Sequence, residues 1–405
     1  MNLVDKKVLL ITSTNLACNP RCLKEARLLN SMGAEVTVVS FHLHNWTDEK
    51  EEQLNKELSN VNFYYLESTR ADFIPWLIAS LMEKLCNALK NIFSSNIFLQ
   101  SIAISKRSWQ LTQKLRKWNK KFDLIIAHNP PAFYPANYFA KKINAPFAID
   151  VEDYHPGEGN GSQKRSVEIL MNNVLPAATY ISYASPLIKK YTDNLLNNKL
   201  QSKGFVINNT FSLLEFVSPS TSLQPEKLSL VWFSQFIDYG RGLEKILPVL
   251  DLYADKITLT LIGSKRESFF QLEIQNRKYI HCLPSLSQVE LNKELSKYDV
   301  GLALEDKEAD LNRNLCLTNK IWAYFQAGLF ILASDTDAQT DLLSSHPNHG
   351  KLMSFEQKEM ADTIKTTIIQ KDTIRSKKEE RFETAKQECW ENDSMALKTE
   401  WQKII

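Results

Sequence analysis

Between Asp150 and Glu158 the chain reads DVEDYHPGE, which sets Asp150, Glu152, Asp153 and Glu158 around His155. Several carboxylates beside an imidazole perturb one another's protonation, and such groups suit acid–base chemistry or the holding of hydroxyl groups. A solvated acidic loop is the plainer alternative. Two cations stand at the mouths of expected helices: Arg241 beside Gly242, and Lys320 after Asn319. Arginine offers a planar fork suited to phosphate oxygens, and a fixed cation stabilises negative charge as it develops. Asn19-Pro20-Arg21 follows the first apolar run. Proline fits a first helical turn, whose free N–H groups attract an anion; a capping turn with a surface arginine is the alternative.

Other patterns carry less chemistry. Gly157, Gly159 and Gly161 follow no strand directly and lack the Lys-Ser/Thr ending of a phosphate loop. Asp335-Thr336-Asp337 trails a strand and reads as a turn. His42 and His44 supply two ligands where a metal needs more, and Cys18 with Cys22 has no second pair to complete a zinc set. His281 reads as a strand-end histidine. The six scattered cysteines read as free thiols of a reducing cytoplasm.

The elements that must position these groups alternate. Val8–Thr12 reads as a buried strand, Cys22–Met32 as a helix capped by Gly33, and Glu35–Ser40 as a strand. Val61–Tyr65, Leu124–Ala127, Phe147–Val151, Tyr180–Tyr183 and Gly204–Ile207 continue the series. This order predicts a parallel, doubly wound α/β sheet. After a Ser/Pro-rich linker (Ser218 to Pro225) a second series starts: strand Leu228–Phe233, helix Gly242–Tyr253, strand Ile257–Ile262, then Tyr279–Cys282 and the helix Val289–Lys297. Strand Val300–Leu304, an Asn-rich loop, helix Thr318–Gln326 and strand Phe330–Ala333 follow. Two domains fit the 405 residues.

Between 71 and 121 the rhythm breaks. Phe73, Ile74, Trp76, Leu77, Ile78, Leu81, Met82, Leu85, Leu89, Ile92 and Phe93 are followed by Lys106, Arg107, Lys114, Arg116, Lys117, Lys120 and Lys121. A helical pair covering the sheet is the favoured reading. The other is an interfacial helix that meets anionic lipid. A formal charge of +2 gives no whole-chain argument for nucleic acid. No stretch approaches a membrane span, and the apolar run Val8–Ile11 is too short for a signal peptide. The first strand lacks a GxGxxG, which disfavours a dinucleotide dehydrogenase.

Four blocks, NPRCLKEARLLNSMGAEVTVVSF, IDVEDYHPGE, VWFSQFIDYGRGLEKIL and the Asn319-Lys320 block ending in Ala327-Gly328, together resemble retaining GT-B glycosyltransferases. The likeness is to the family-4 (group 1) type, in its bacterial surface-polysaccharide branch. It implies two Rossmann-like domains facing an interdomain cleft. The N-terminal acceptor-side domain spans 1–210 with the 71–121 insert, and the donor domain spans 226–385. A closing helix, 386–405, crosses back, with Trp390 and Trp401 as candidate anchors. It implies a metal-independent hexosyl-type transfer from a nucleotide-diphosphate sugar, used as substrate with no cofactor, to a glycan or lipid-linked acceptor. The setting is cytoplasmic, at the inner face of the membrane. Asp153, His155 and Glu158 are then the catalytic candidates, touching sugar and acceptor. Arg241, Gly242, Lys320, Asn319, Ser234, Asn314 and Glu305 bind the donor, and Asn19 with Arg21 forms a phosphate or acceptor loop. The chain departs from the family where two glutamates are usual: Leu315 and Ala323 stand there, with Asn314, Thr318, Asn319 or Glu305 as substitutes. A nucleotide-sugar epimerase and a non-catalytic binding protein are the alternatives.

Overall fold

A computed structural model describes residues 2–198, 203–220 and 226–405. The chain divides into two compact units, Met1–Ile207 with Met395–Ile405, and Asn208–Ser394. Residues 221–225 of the expected linker lie outside the described residues.

The first unit is built on seven parallel strands: β1 (Lys7–Thr12), β2 (Glu35–His42), β3 (Asn62–Glu67), β4 (Leu124–His128), β5 (Phe147–Val151), β6 (Tyr180–Tyr183) and β7 (Gly204–Val206). Their spatial order is β3-β2-β1-β4-β5-β6-β7. Strands β1, β4 and β5 are near-continuous apolar runs because a parallel sheet is covered on both faces, and every residue of β4 and β5 is buried. Helix α1 (Pro20–Ser31) begins where Asn19 accepts a bond from the Cys22 amide and Pro20 takes the first turn. It ends before Gly33, whose φ of +86° favours glycine. Helix α2 (Asp48–Glu57) precedes β3.

The insert is three helices rather than a pair: α3 (Phe73–Leu89), α4 (Ile97–Ile104) and α5 (Lys106–Arg116). Helix α3 lies on α4 and α5, meeting Ile102 and Ala103 through Met82 and Cys86. Helices α6 (Pro130–Ile143), α7 (Lys164–Val174) and α8 (Pro186–Leu195) complete the winding. The last helix, Met395–Ile404, belongs to this unit, where Trp401 is fully buried and its Nε1 donates to the Tyr180 hydroxyl at 2.8 Å. Residues up to Ser394, Trp390 among them, group with the second unit.

The second unit repeats the design with β8 (Leu228–Ile237), β9 (Ile257–Lys265), β10 (Ile280–Leu283), β11 (Val300–Ala303), β12 (Phe330–Ser334) and β13 (Gly350–Met353). All are parallel, in the order β10-β9-β8-β11-β12-β13. Its core joins Trp232, Leu259, Leu261, Leu302 and Leu332 to Ile246 and Leu247 of helix α9 (Leu243–Leu250). Strand β8 outruns its expected end at Phe233 through a bulge between Phe233 and Phe236. Gly263 makes the bulge possible: a Cβ there would sit 2.2 Å from the Ser234 carbonyl oxygen.

Candidate functional site

Doubly wound sheets bind ligands beyond the carboxyl ends of the strands where the order reverses. In the first unit that point lies between β1 and β4. Pairing across the sheet aligns Thr12 with His128, His128 with Asp150, and Asp150 with Ser182, so one polar row crosses four strands near their carboxyl ends.

Asp150 holds the densest contacts of this row. Arg21 donates to it through Nε at 2.7 Å and Nη2 at 2.5 Å, and Ser182 Oγ donates at 2.5 Å. The remaining arm of Arg21, Nη1, donates to the Ile207 carbonyl at 2.6 Å. Both charged groups are buried, and burial opposes each charge. The Arg21 guanidinium nevertheless keeps the Asp150 carboxyl far below its usual range, and Asp150 raises Arg21 in return. The Arg21 guanidinium, expected in a phosphate or acceptor loop, is thus bonded on all three nitrogens inside the unit. Asn19 likewise caps α1, with its Nδ2 facing Asn129 Oδ1 at 3.3 Å.

His128 sits behind this pair, fully buried. Its Nε2 is 3.6 Å from Glu25 Oε2, and its Nδ1 is 3.5 Å from Asp150 Oδ2 and 3.4 Å from Glu152 Oε1. These separations exceed a good hydrogen bond but hold strong electrostatic attraction at low dielectric. Burial disfavours an imidazolium here, yet Cys22, Glu25 and Asp150 raise the His128 pKa well above its ordinary value. Glu25, His128 and Asp150 offer ligand atoms within 4.8 Å of one another, as a metal site would. Asp150 is already committed to Arg21 and Ser182, so the group reads as a balanced ion network. Asn129, next along the chain, has φ +68° and ψ 144°, a conformation that costs a non-glycine residue about 1–3 kcal/mol. It is held by a bond from Thr12 Oγ1 at 2.9 Å and by its own bond to Glu152 Oε2 at 3.3 Å.

The acidic loop continues from β5. His155 is buried, and its Nδ1 lies 2.8 Å from Glu158 Oε2, while Nε2 has no partner. Burial alone would lower the His155 pKa; the Glu158 carboxylate overrides it and raises it. Glu158 is exposed and Asp153 half-buried. The Asp153 carbonyl accepts from the His155 amide.

In the second unit the order reverses between β8 and β11. Gly242, which follows β8 and starts α9, has φ +81°, and a Cβ on it would lie 2.7 Å from Phe355 Cζ. Arg241 beside it is exposed, and no carboxylate pairs with it among the described residues. Glu305 follows β11, and Lys320 lies in the first turn of helix Asn319–Gln326. Both are buried. Lys320 Nζ stands 3.6 Å from Glu305 Oε1 and 4.9 Å from the centre of the Trp232 ring. Neither Nζ nor Oε1 has a hydrogen-bond partner. Burial lowers the Lys320 pKa; Glu305 opposes that, and the positive field of Arg241 and Arg313 adds to it.

Two of the remaining expected donor residues, Asn314 and Asn319, have other partners. Asn314 and Asp337 exchange two bonds, from Asn314 Nδ2 at 2.8 Å and from the Asp337 amide at 2.9 Å. Asn319 Oδ1 accepts from Asn209 Nδ2. Ser234 lies in the β8 bulge. Asp335 pairs with Lys307 at 2.6 Å, and Thr336 caps the helix Asp337–Ser345, so this Asp-x-Asp is a helix-start turn. Leu315 and Ala323 are both buried. Sequence reasoning missed Thr12, Glu25, His128 and Asn129. The available signal was the His-Asn-Pro-Pro run directly after an apolar strand.

No protein-family model and no curated protein sequence matches the chain. Solved structures do match in fold. The Anabaena protein HepE in complex with UDP is 13% identical with a TM-score of 0.64, covering 98% of this chain and 100% of that one. HepE in complex with UDP-glucose gives 13% identity and a TM-score of 0.62, over 97% of this chain and 99% of that one. Sucrose-phosphate synthase from Thermosynechococcus elongatus gives 12% and 0.64, over 98% and 99%. At such identity the likeness is one of fold. The chain has the α/β architecture of two Rossmann-like units found in GT-B proteins.

Proposed function

We propose that this chain is a retaining glycosyltransferase that moves a sugar from a nucleotide-diphosphate donor to a glycan or lipid-linked acceptor in surface-polysaccharide assembly. The observation that carries the reading is Lys320: a buried ammonium with no hydrogen-bond partner at the switch point of the second sheet. A buried charge so placed is incomplete, and diphosphate oxygens would complete it. Arg241 adds a second cation for the departing diphosphate, so the charge is neutralised by side chains without a catalytic metal. Gly242, Ser234, Asn314 and Asn319 shape the donor loop. Glu305, whose Oε1 also lacks a partner, is the candidate for a donor hydroxyl. Asp153, His155 and Glu158 contact sugar and acceptor. In this chemistry the leaving phosphate accepts the acceptor's proton on the face it departs from, so no strong protein nucleophile is required. The UDP and UDP-glucose bound to HepE support a uridine donor. The proposed setting is the cytoplasmic face of a membrane, where a lipid-linked acceptor is met.

Calorimetric titration with UDP, GDP, ADP and dTDP tests the donor class. One nucleotide should bind, and Lys320→Ala and Arg241→Ala should each lower turnover by about 2–4 kcal/mol, roughly 30- to 1,000-fold, with the fold intact. Near-normal turnover in both variants removes them from the site.

A further inference from the structure

Helix α3 carries an apolar stripe that the fold leaves uncovered. Ile74, Leu77, Ile78, Leu81, Leu85 and Ile92 recur at helical spacing along one side of α3 and the turn after it, with exposures from 38% to 72%. Phe73 and Phe93 extend the stripe at its ends, both exposed. The opposite side of α3 is the one that packs: Ala79 and Cys86 are buried, and Met82 packs on Ile102 and Ala103. Helices α4 and α5 spend their own apolar residues, Ile102, Ala103, Leu111 and Leu115, inside the unit. Contiguous apolar surface of this length is uncommon on a soluble monomer and marks an interaction site.

The charges around the stripe choose the occupant. The Arg70 guanidinium and the Lys106 ammonium lie over the Trp76 ring at 4.9 and 5.1 Å. Lys84 is exposed one position before Leu85, and Lys90 follows the helix. Against these four cations stand Asp72 and Glu83, and Glu83 Oε1 already accepts from the Lys106 amide. Cations along a helix that exposes an aliphatic stripe suit the boundary between acyl chains and anionic headgroups. A second copy of the chain fits worse, since a two-fold contact would gather four cations but only two carboxylates from each copy around the apolar seam. No described helix is long and apolar enough to cross a membrane, so α3 would lie in the surface.

We propose that the outward face of α3 docks this protein on an anionic bilayer, with the aliphatic stripe in the acyl boundary and Arg70, Lys84 and Lys106 at the headgroups. The inference rests on the membrane setting proposed above and uses none of the donor residues, so its failure leaves the donor reading intact. The test is flotation of the full chain with phosphatidylcholine vesicles, with and without phosphatidylglycerol, at low and high salt, beside light scattering of the protein alone. Wild type should float with the anionic vesicles at low salt and less at high salt. The variant Ile78→Ser/Leu81→Ser/Leu85→Ser changes only exposed positions; it should keep its melting temperature and lose on the order of tenfold or more in bound fraction. Lys84→Glu should bind more weakly than wild type. Three results each overturn the proposal: no flotation at low salt with anionic lipid, equal flotation of the triple variant, or a wild-type dimer that fails to float and that the triple variant dissociates. The last would assign the face to a second copy.

Discussion

We predict that Arg21→Met destabilises the first unit strongly while leaving nucleotide affinity of the folded protein unchanged. The substitution removes the strongest partner of Asp150, which is fully buried and would keep the Ser182 hydroxyl and the more distant His128 ring at 3.5 Å. Removing one partner of a buried ion pair costs about 3–5 kcal/mol, because the other charge stays desolvated. For a unit of roughly two hundred residues, each kcal/mol is worth about 2–4 °C, so the melting temperature should fall by about 6–20 °C. Asp150→Leu should cost a similar amount by stranding Arg21. The double variant Arg21→Met/Asp150→Leu should cost less than either single change, since it leaves neither charge buried alone. Urea unfolding of the four proteins gives the coupling directly. Acid supplies an independent check. The folded Asp150 pKa is depressed, so its contribution is complete above the unfolded value of about 3.9 and is lost as pH falls through the depressed folded value. The gap between wild type and Arg21→Met should therefore narrow below about pH 4. Single variants costing under about 1 kcal/mol, or a double variant equal to their sum, would refute the reasoning. So would a stable Arg21→Met protein that no longer binds nucleotide, which would return Arg21 to the anion site.

Other expectations follow from single positions. Gly242→Ala should cost about 1–3 kcal/mol of stability and weaken donor binding, because φ is +81° and the new methyl meets Phe355; unchanged melting would show that the turn relaxes freely. His349 stacks on Phe325 at 4.1 Å and its Nε2 donates to the Arg381 carbonyl, so a second proton would sit on a buried, unpartnered Nδ1. Burial lowers its pKa to about 4. The neutral ring favours folding, so stability should be complete above about pH 6.5 and fall, by at most about 3 kcal/mol, as pH drops toward 4. His349→Gln should flatten that limb in urea titrations at several pH values; an unchanged limb would exonerate His349. Trp401→Ala should remove about 3–5 kcal/mol and lower the first unit's transition while the second's holds, measured by calorimetry.

The parts of the fold that could be read from sequence are those where one physical rule dominates. Strands β1, β4, β5 and β6 are apolar runs because both faces are covered, and a run bounded by turn residues is hard to mistake. Strand β13 escaped notice because it is four residues long, carries Lys351, and starts at Gly350, whose missing Cβ leaves room for the Ile331 carbonyl oxygen. The insert misled because its stripe reads the same whether it faces a sheet or water; only the burial of Ala79 and Cys86 tells which side of α3 is inward. Strand β8 overran its expected end because a bulge cannot be read from Ser234 and Gln235 alone; it needs Gly263 on the neighbouring strand.

For the site, residue type was a weaker guide than completeness. Arg21 and Lys320 are both cations in the first turn of a helix, both near the carboxyl ends of strands, and both buried. Sequence treats them alike. The structure separates them: three arms of Arg21 are satisfied by a carboxylate and a carbonyl from distant segments, whereas Lys320 Nζ reaches Glu305 only at 3.6 Å and bonds to nothing. His128 is a third case, with both ring nitrogens lacking hydrogen bonds yet ringed by Glu25, Asp150 and Glu152, so its charge is balanced within the unit. A buried cation that the fold completes stabilises the fold. One that the fold leaves incomplete, at a switch point and beside an exposed Arg241, is the one that the proposed donor reading assigns to an anion brought from outside. That asymmetry cannot be written in a local motif, because the groups that complete Arg21 come from positions 150 and 207 of the chain.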